Sequence, residues 1–176
     1  THSDSSAASD VYKRQDLKWR NWWAFKYRKI NLMIQNLAIA SDHAGYKLKN
    51  YIVNNLKREI NIKDFGTNNE DSCDFPDFAK EACDFVLNND SSRGLLICGS
   101  GVGMSIAANK IKGIRASNVV DKDTAIQSVE HNDVNVLCLG TNNINEENVI
   151  NIVESFLDAT LIKEERYLRR ISKLED

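Results

Sequence analysis

Apolar and polar positions alternate along most of the chain with two different periods. Leu37-Ala38-Ile39-Ala40, Gly94-Leu95-Leu96-Ile97 and Val136-Leu137-Cys138-Leu139-Gly140 are short, nearly unbroken apolar runs. Runs of that length read as strands buried on both faces, the environment of a parallel sheet. Ile60 to Phe65 alternates in character and Ile114 to Val120 is mixed, which adds a second and a fourth strand. Between the runs the apolar spacing lengthens to three and four. Leu48, Tyr51, Ile52 and Leu56 share one helical face, as do Phe78, Ala82, Phe85 and Val86 after Pro76, which can open its helix. Asp121 is placed to cap a helix carrying Ala125 and Val129 that closes at Glu130-His131-Asn132-Asp133. Glu146 to Ala159 directs Val149, Ile152, Val153 and Phe156 inward, and a charged helix spans Lys163 to Leu174. Strand and helix in alternation imply an α/β fold with a five-stranded parallel sheet covered on both faces.

In such sheets ligands bind beyond the carboxyl ends of the strands. Three polar or glycine-rich segments fall there: Ser41-Asp42-His43-Ala44-Gly45, Cys98-Gly99-Ser100-Gly101-Val102-Gly103, and Gly140-Thr141. The second is the richest. A strand, a turn with three glycines at alternate positions and a helix start aim backbone N–H groups at an anion. A cysteine at the strand end sits where that field favours its thiolate. The loop is not a Walker A loop, for no Gly-Lys-Ser/Thr follows, and Met104 stands where a dinucleotide fingerprint needs a third spaced glycine. The glycines alone leave a purely structural turn open, and a cysteine at a strand end can equally be inert packing.

Composition narrows the class. The chain has 176 residues, a length that suits one domain with a substantial core. A net charge of −2 supplies no basic field for nucleic acid, and no apolar run approaches the length needed to span a bilayer. Cys73, Cys83, Cys98 and Cys138 show no C-x-x-C pair, and with three histidines no zinc-ligand spacing emerges. Reduced thiols and a cytoplasmic location are the expectation, with Cys73, Cys83 and Cys138 as packing residues. Residues 1–32 differ in character. Thr1 to Asp10 is rich in Ser, Ala and Asp, and Lys18 to Lys29 interleaves basic residues with Trp19, Trp22 and Trp23. Asp10-Val11-Tyr12-Lys13-Arg14-Gln15 looks like a translated cloning or sequencing adapter. The segment reads as a non-native or disordered extension, with Met33 as the natural start and residues 33–176 as the domain.

Several motifs together resemble the ribose-5-phosphate isomerase B family, from about residue 36 to the C-terminus. They are Ser41-Asp42-His43-Ala44-Gly45, Ile97-Cys98-Gly99-Ser100-Gly101-Val102-Gly103, Ala107-Ala108-Asn109-Lys110, Gly113-Ile114-Arg115-Ala116, and His131-Asn132-Asp133 with Asn135-Val136-Leu137. The resemblance implies a Rossmann-like three-layer α/β/α sandwich that works as a homodimer with shared sites, its association to a tetramer left open. It implies interconversion of ribose 5-phosphate and ribulose 5-phosphate with no cofactor and no metal. It places Cys98 as the base and the amides and hydroxyl of Gly99, Ser100, Gly101, Val102 and Gly103 as the anion hole. His131 becomes the ring-opening acid–base group with Asn132 beside it, Asp42 and His43 hold the sugar, and Arg166 and Arg170 grip the phosphate. Taken singly, Asp42 could cap a helix, His131 could answer a helix dipole, and the arginines could be a solvated face. Asn142 stands where many relatives carry another arginine. Lys163-Glu164-Glu165 brings one extra residue before Arg166. Met104 replaces the carboxylate of another branch. A hexose 6-phosphate isomerase for allose or galactose phosphate, and a sugar-phosphate-binding module without catalysis, are the alternatives.

Overall fold

The computed structural model describes residues 33–175, so the reading of residues 1–32 lies outside the described residues. The strands are β1 (Asn36–Ser41), β2 (Asn61–Asp64), β3 (Ser92–Cys98), β4 (Ala116–Asn118) and β5 (Val136–Gly140). The helices are α1 (Tyr46–Asn55), α2 (Phe75–Asn88), α3 (Val102–Asn109), α4 (Lys122–Asn132), α5 (Glu146–Asp158) and α6 (Glu165–Leu174). The sheet and first five helices form one compact unit, Met33–Ile162, and α6 belongs to another. All strand pairings are parallel, in the order β2-β1-β3-β5-β4.

The period-two alternation of the buried strands divides the core between the two faces. Leu37, Ile39, Leu95, Ile97, Leu137 and Leu139 meet α1, α4 and α5 through Ile52, Val129, Val153 and Phe156. Ala38, Ala40, Leu96, Cys98 and Cys138 meet α2 and α3 through Ala79, Cys83, Met104 and Ala108. The expected three layers are thus present, with the smaller residues on the second face, where the backbone of β3 lies against α2. A Cβ on Gly94 would stand 3.3 Å from Val86 Cγ2 of α2.

Element limits follow their hydrogen bonds. Asp121 caps α4 as expected, its carboxylate accepting the Thr124 N–H at 2.7 Å. Asn145 does the same for α5 through Asn148. Pro76 falls one residue inside α2, where its missing N–H is harmless. The fourth strand is shorter than its apolar pattern. Just before it the Arg115 N–H donates to Asn135 Oδ1, and Val120 is 54 % exposed beyond it, so only three residues join the ladder.

Lys49 departs from the helical pattern. It lies on the buried side of α1, 1 % exposed, although its spacing marks it as polar surface. Its ammonium donates to both Asp64 oxygens at 2.7 Å and to the Thr67 carbonyl at 2.8 Å. Three acceptors compensate a cation that burial would otherwise expel. The result ties α1 to the chain leaving β2, and Ser41 at the end of β1 bonds that same turn through Gly66 O and Thr67 N–H. Asp64→Ala leaves the ammonium with one carbonyl. It is expected to lower stability by about 2 kcal/mol, less than the roughly 3–5 kcal/mol of a wholly buried pair because Asp64 is 38 % exposed. An unchanged thermal midpoint would show that the Thr67 carbonyl suffices.

Among the described residues no helix is long and apolar enough to cross a membrane.

Candidate active site

The strand order places the site. From β1 the chain moves outward to β2, then returns to the other side of β1 as β3, so the winding reverses between β1 and β3. Connections diverge at such a point and leave a crevice above the carboxyl ends of the two strands. Asp42 and His43 follow β1 there, and Cys98 ends β3 beside them. The Asp42 N–H donates to the Ile97 carbonyl at 3.1 Å, which locks the two strand ends together.

Cys98 is 5 % exposed, and its Sγ accepts the Gly101 N–H at 3.1 Å. Gly101 caps α3 with φ 77°, a left-handed conformation that returns the chain onto the sulfur. No side chain fits there, since a Cβ would lie 2.2 Å from Asn118 Oδ1. The carbonyls of the loop are turned away and occupied. Cys98 O accepts the Thr141 N–H at 3.0 Å, Gly99 O accepts the Asn142 N–H at 3.0 Å, and Ser100 O accepts from Asn118 Nδ2 at 3.2 Å. With its acceptors engaged, the loop presents donors. The first-turn N–H groups of α3 have no intrahelical acceptor, and only a weak 3.3 Å contact to Ser100 Oγ engages that of Val102. Ser100 is exposed, Val102 is half exposed, and Gly103 lies so close to the Phe75 ring that a Cβ would come within 2.9 Å. The arrangement can hold a developing oxyanion beside a sulfur base.

Cys83 and Cys138 lie in the same apolar layer but have no such role. Burial first, and Asp84 second, push the Cys83 thiol up to about 12, and burial likewise pushes Cys138 up, with Cys83 and Cys98 adding to it. Both stay protonated, as expected of packing residues.

Asp42 takes up the capping reading of its sequence position. Its Oδ1 accepts the Gly45 N–H at 3.0 Å and so caps the turn into α1, while the carboxylate stays at the crevice. His43 accepts the Cys73 N–H at Nδ1, 3.3 Å, with Cys73 Sγ at 3.9 Å. A backbone N–H can only donate, so a neutral His43 carries its proton on Nε2 and offers it as a donor. Cys73, expected to pack, is half-buried beside the site instead. It lies in the polar stretch before Pro76, and no spacing signals that this stretch folds back on His43.

Within the Met33–Ile162 unit, His131 and Asn132 do not join this crevice. His131 and Asn132 end α4, next to the amino end of β5, whereas Cys98 lies opposite Gly140 at its carboxyl end. Roughly 15 Å of strand, at about 3.3 Å per residue, separates the two levels. Arg166 and Arg170 are exposed on α6. Arg166 pairs with Glu164 at 2.7 Å and stacks on Tyr167, 4.6 Å from the ring centre.

The sequence pattern of the Ribose/Galactose Isomerase family matches residues 37–174. The chain belongs to that family. A Rickettsia typhi protein named only as a candidate sugar phosphate isomerase is 41 % identical over 141 residues, covering 80 % of this chain and 97 % of the relative. The "Probable ribose-5-phosphate isomerase B" of Mycoplasma genitalium is 44 % identical over 142 residues, covering 79 % and 93 %. The crystal structure of ribose-5-phosphate isomerase B from Mycoplasma genitalium with bound ribulose-5-phosphate superposes with a TM-score of 0.75 at 41 % identity, covering 82 % of this chain and 96 % of that one. As a ribose/galactose isomerase, this chain keeps Met104 fully buried behind the glycine loop, so no carboxylate enters the crevice from that position.

Proposed function

We propose that the protein interconverts ribose 5-phosphate and ribulose 5-phosphate, a step of the pentose phosphate pathway, in the cytoplasm and without a cofactor. The observation that carries this reading is the Cys98 sulfur held at a crevice whose loop has engaged its carbonyls and kept its N–H groups for an anion. The sugar phosphates named for the relatives support the choice of substrate.

The chemistry needs one carbon-bound proton moved by one position. Cys98 as thiolate takes the proton from C2 of the open-chain aldose. The C2 electron pair forms the C1=C2 bond, and the carbonyl oxygen on C1 becomes an oxyanion held by the N–H groups of Gly99 to Gly103 and the Ser100 hydroxyl. Cys98 returns the proton to C1 while the oxygen on C2 yields its proton to that on C1, leaving a ketone. Asp42 accepts from a sugar hydroxyl and His43 Nε2–H donates to another oxygen. His131 opens the furanose ring, Asn132 binds beside it, and Arg166 and Arg170 hold the phosphate through their guanidinium forks.

His131 stands at the wrong end of its own sheet for its own Cys98. The reading therefore requires a second copy of the chain, with His131 of each serving the crevice of the other. Val102 and Ile106, 50 % and 58 % exposed and one turn apart on α3, supply apolar surface beside the crevice for that contact. The test is a coupled assay of the purified protein on ribose 5-phosphate, allose 6-phosphate and galactose 6-phosphate. Turnover is expected with the pentose. Preference for either hexose would replace the substrate, and binding of all three with turnover of none would replace catalysis by carriage.

A further inference from the structure

Arg115 is buried, 9 % exposed, directly before the edge strand β4. Its Nε–H is shared between the Asn132 carbonyl at 3.2 Å and the Asp133 carbonyl at 2.8 Å, and its Nη2 bonds Asp133 Oδ2 at 2.6 Å. Its own backbone is fixed from the other side. The Arg115 N–H donates to Asn135 Oδ1 at 2.8 Å, while Arg115 O accepts the Asn135 N–H at 3.1 Å, and Asn135 Nδ2 reaches Gly113 O at 2.9 Å. All of these groups surround the last turn of α4.

Asp133 is where that helix stops. It adopts φ 51° and ψ 44°, the left-handed conformation, and its N–H closes onto the Ser128 and Val129 carbonyls. A residue with a side chain takes that conformation at a cost, and the surroundings must hold it there. The charge-assisted pair with Arg115 does so. The same guanidinium neutralises the free carbonyls where the helix dipole ends. Asn132 and His131 immediately precede the stop. One arginine thus sets both where α4 ends and how its last two side chains leave the helix.

We propose that Arg115, acting through Asp133, is the positioning residue for His131 and Asn132 and thereby controls ring opening rather than proton transfer. The inference rests on the isomerase reading above. Ribulose 5-phosphate carries its phosphate on the oxygen that would close a furanose, so it has no ring to open. Its C1 proton can exchange with solvent through the enediolate with Cys98 alone. Ribose 5-phosphate must first be opened. A defect confined to His131 placement therefore separates two measurements that a loss of folded protein would lower together.

The experiment compares Arg115→Gln, Arg115→Lys and Asp133→Gly with the wild type and His131→Ala, each as the full chain. Glycine at 133 keeps the left-handed turn and removes the ion pair with Arg115, so it carries the test if the arginine variants fail to fold. Net conversion of ribose 5-phosphate is expected to fall about ten- to a hundredfold in Arg115→Gln and Asp133→Gly. At saturating ribulose 5-phosphate, deuterium uptake from solvent at its C1 is expected to stay within about threefold, with Arg115→Lys intermediate in conversion because it keeps the charge but not the fork. Parallel loss of both, or loss of neither, overturns the assignment of Arg115. A wild type inert in both measurements overturns the isomerase reading and this inference with it.

Discussion

Cys98→Ser is expected to lower turnover of ribose 5-phosphate by at least about a thousandfold, in the upper part of the range for removing a general base. Sulfur and oxygen differ little in size here, and the Gly101 N–H that meets Sγ at 3.1 Å would meet a hydroxyl as readily. What changes is the proton. A thiol ordinarily releases it near pH 8.5, whereas an alkyl hydroxyl holds its proton far more tightly and is a much weaker acid. No carboxylate stands in reserve at position 104, since Met104 is apolar and fully buried behind the loop. Affinity for the substrate should change little, because the loop amides remain. Deuterium uptake at C2 of ribose 5-phosphate should fall in step with turnover. Wild-type uptake in the serine variant would assign the base to another group.

A mixture of two dead proteins is expected to regain activity. Under the proposed mechanism Cys98→Ala lacks the base and His131→Ala lacks the ring-opening group, so each alone should be nearly inactive. The two residues lie at opposite ends of one sheet, so under the proposed mechanism a complete crevice takes Cys98 from one chain and His131 from another. In an equal mixture allowed to exchange subunits, half of the dimers are hybrids with one complete and one doubly defective site, giving about a quarter of wild-type activity. No recovery after demonstrated exchange would mean that sites are not shared, and His131 would lose its role.

The readable parts of this chain were those that local pattern decides. Continuous apolar runs located β1, β3 and β5, and the polar or glycine residues after each run located the crevice, because a parallel sheet brings all its carboxyl ends to one edge. Asp121 was legible as a cap from its position before a helical period. Features that depend on a distant partner were not. Lys49 looks like surface until Asp64 and Thr67 arrive to receive its ammonium. Cys73 looks like packing until the β2–α2 segment folds onto His43. Arg115 belongs to a family motif, yet its bond to the end of α4 crosses 17 residues of chain and leaves no periodic trace. The fourth strand shortened because the Arg115 N–H turns to the Asn135 side chain instead of a β5 carbonyl. Strand order was equally silent, for the apolar pattern of β5 says nothing of where it inserts.

That insertion has a consequence for how the protein comes into being. β5 is synthesised last of the strands but sits between β3 and β4, and β4 pairs with β5 alone. Until residue 140 has joined, β3 is an edge whose second half, Leu95 to Cys98, is apolar, with a row of unpaired N–H and C=O groups, and β4 has no ladder at all. The nascent chain therefore passes through a stage in which the strand carrying Cys98 is also its stickiest surface. The same residues that close that edge, Thr141 and Asn142 just after β5, are those that fix the carbonyls of the glycine loop. Protection from misassembly and readiness for catalysis arrive in one event, at the zipping of a single late strand.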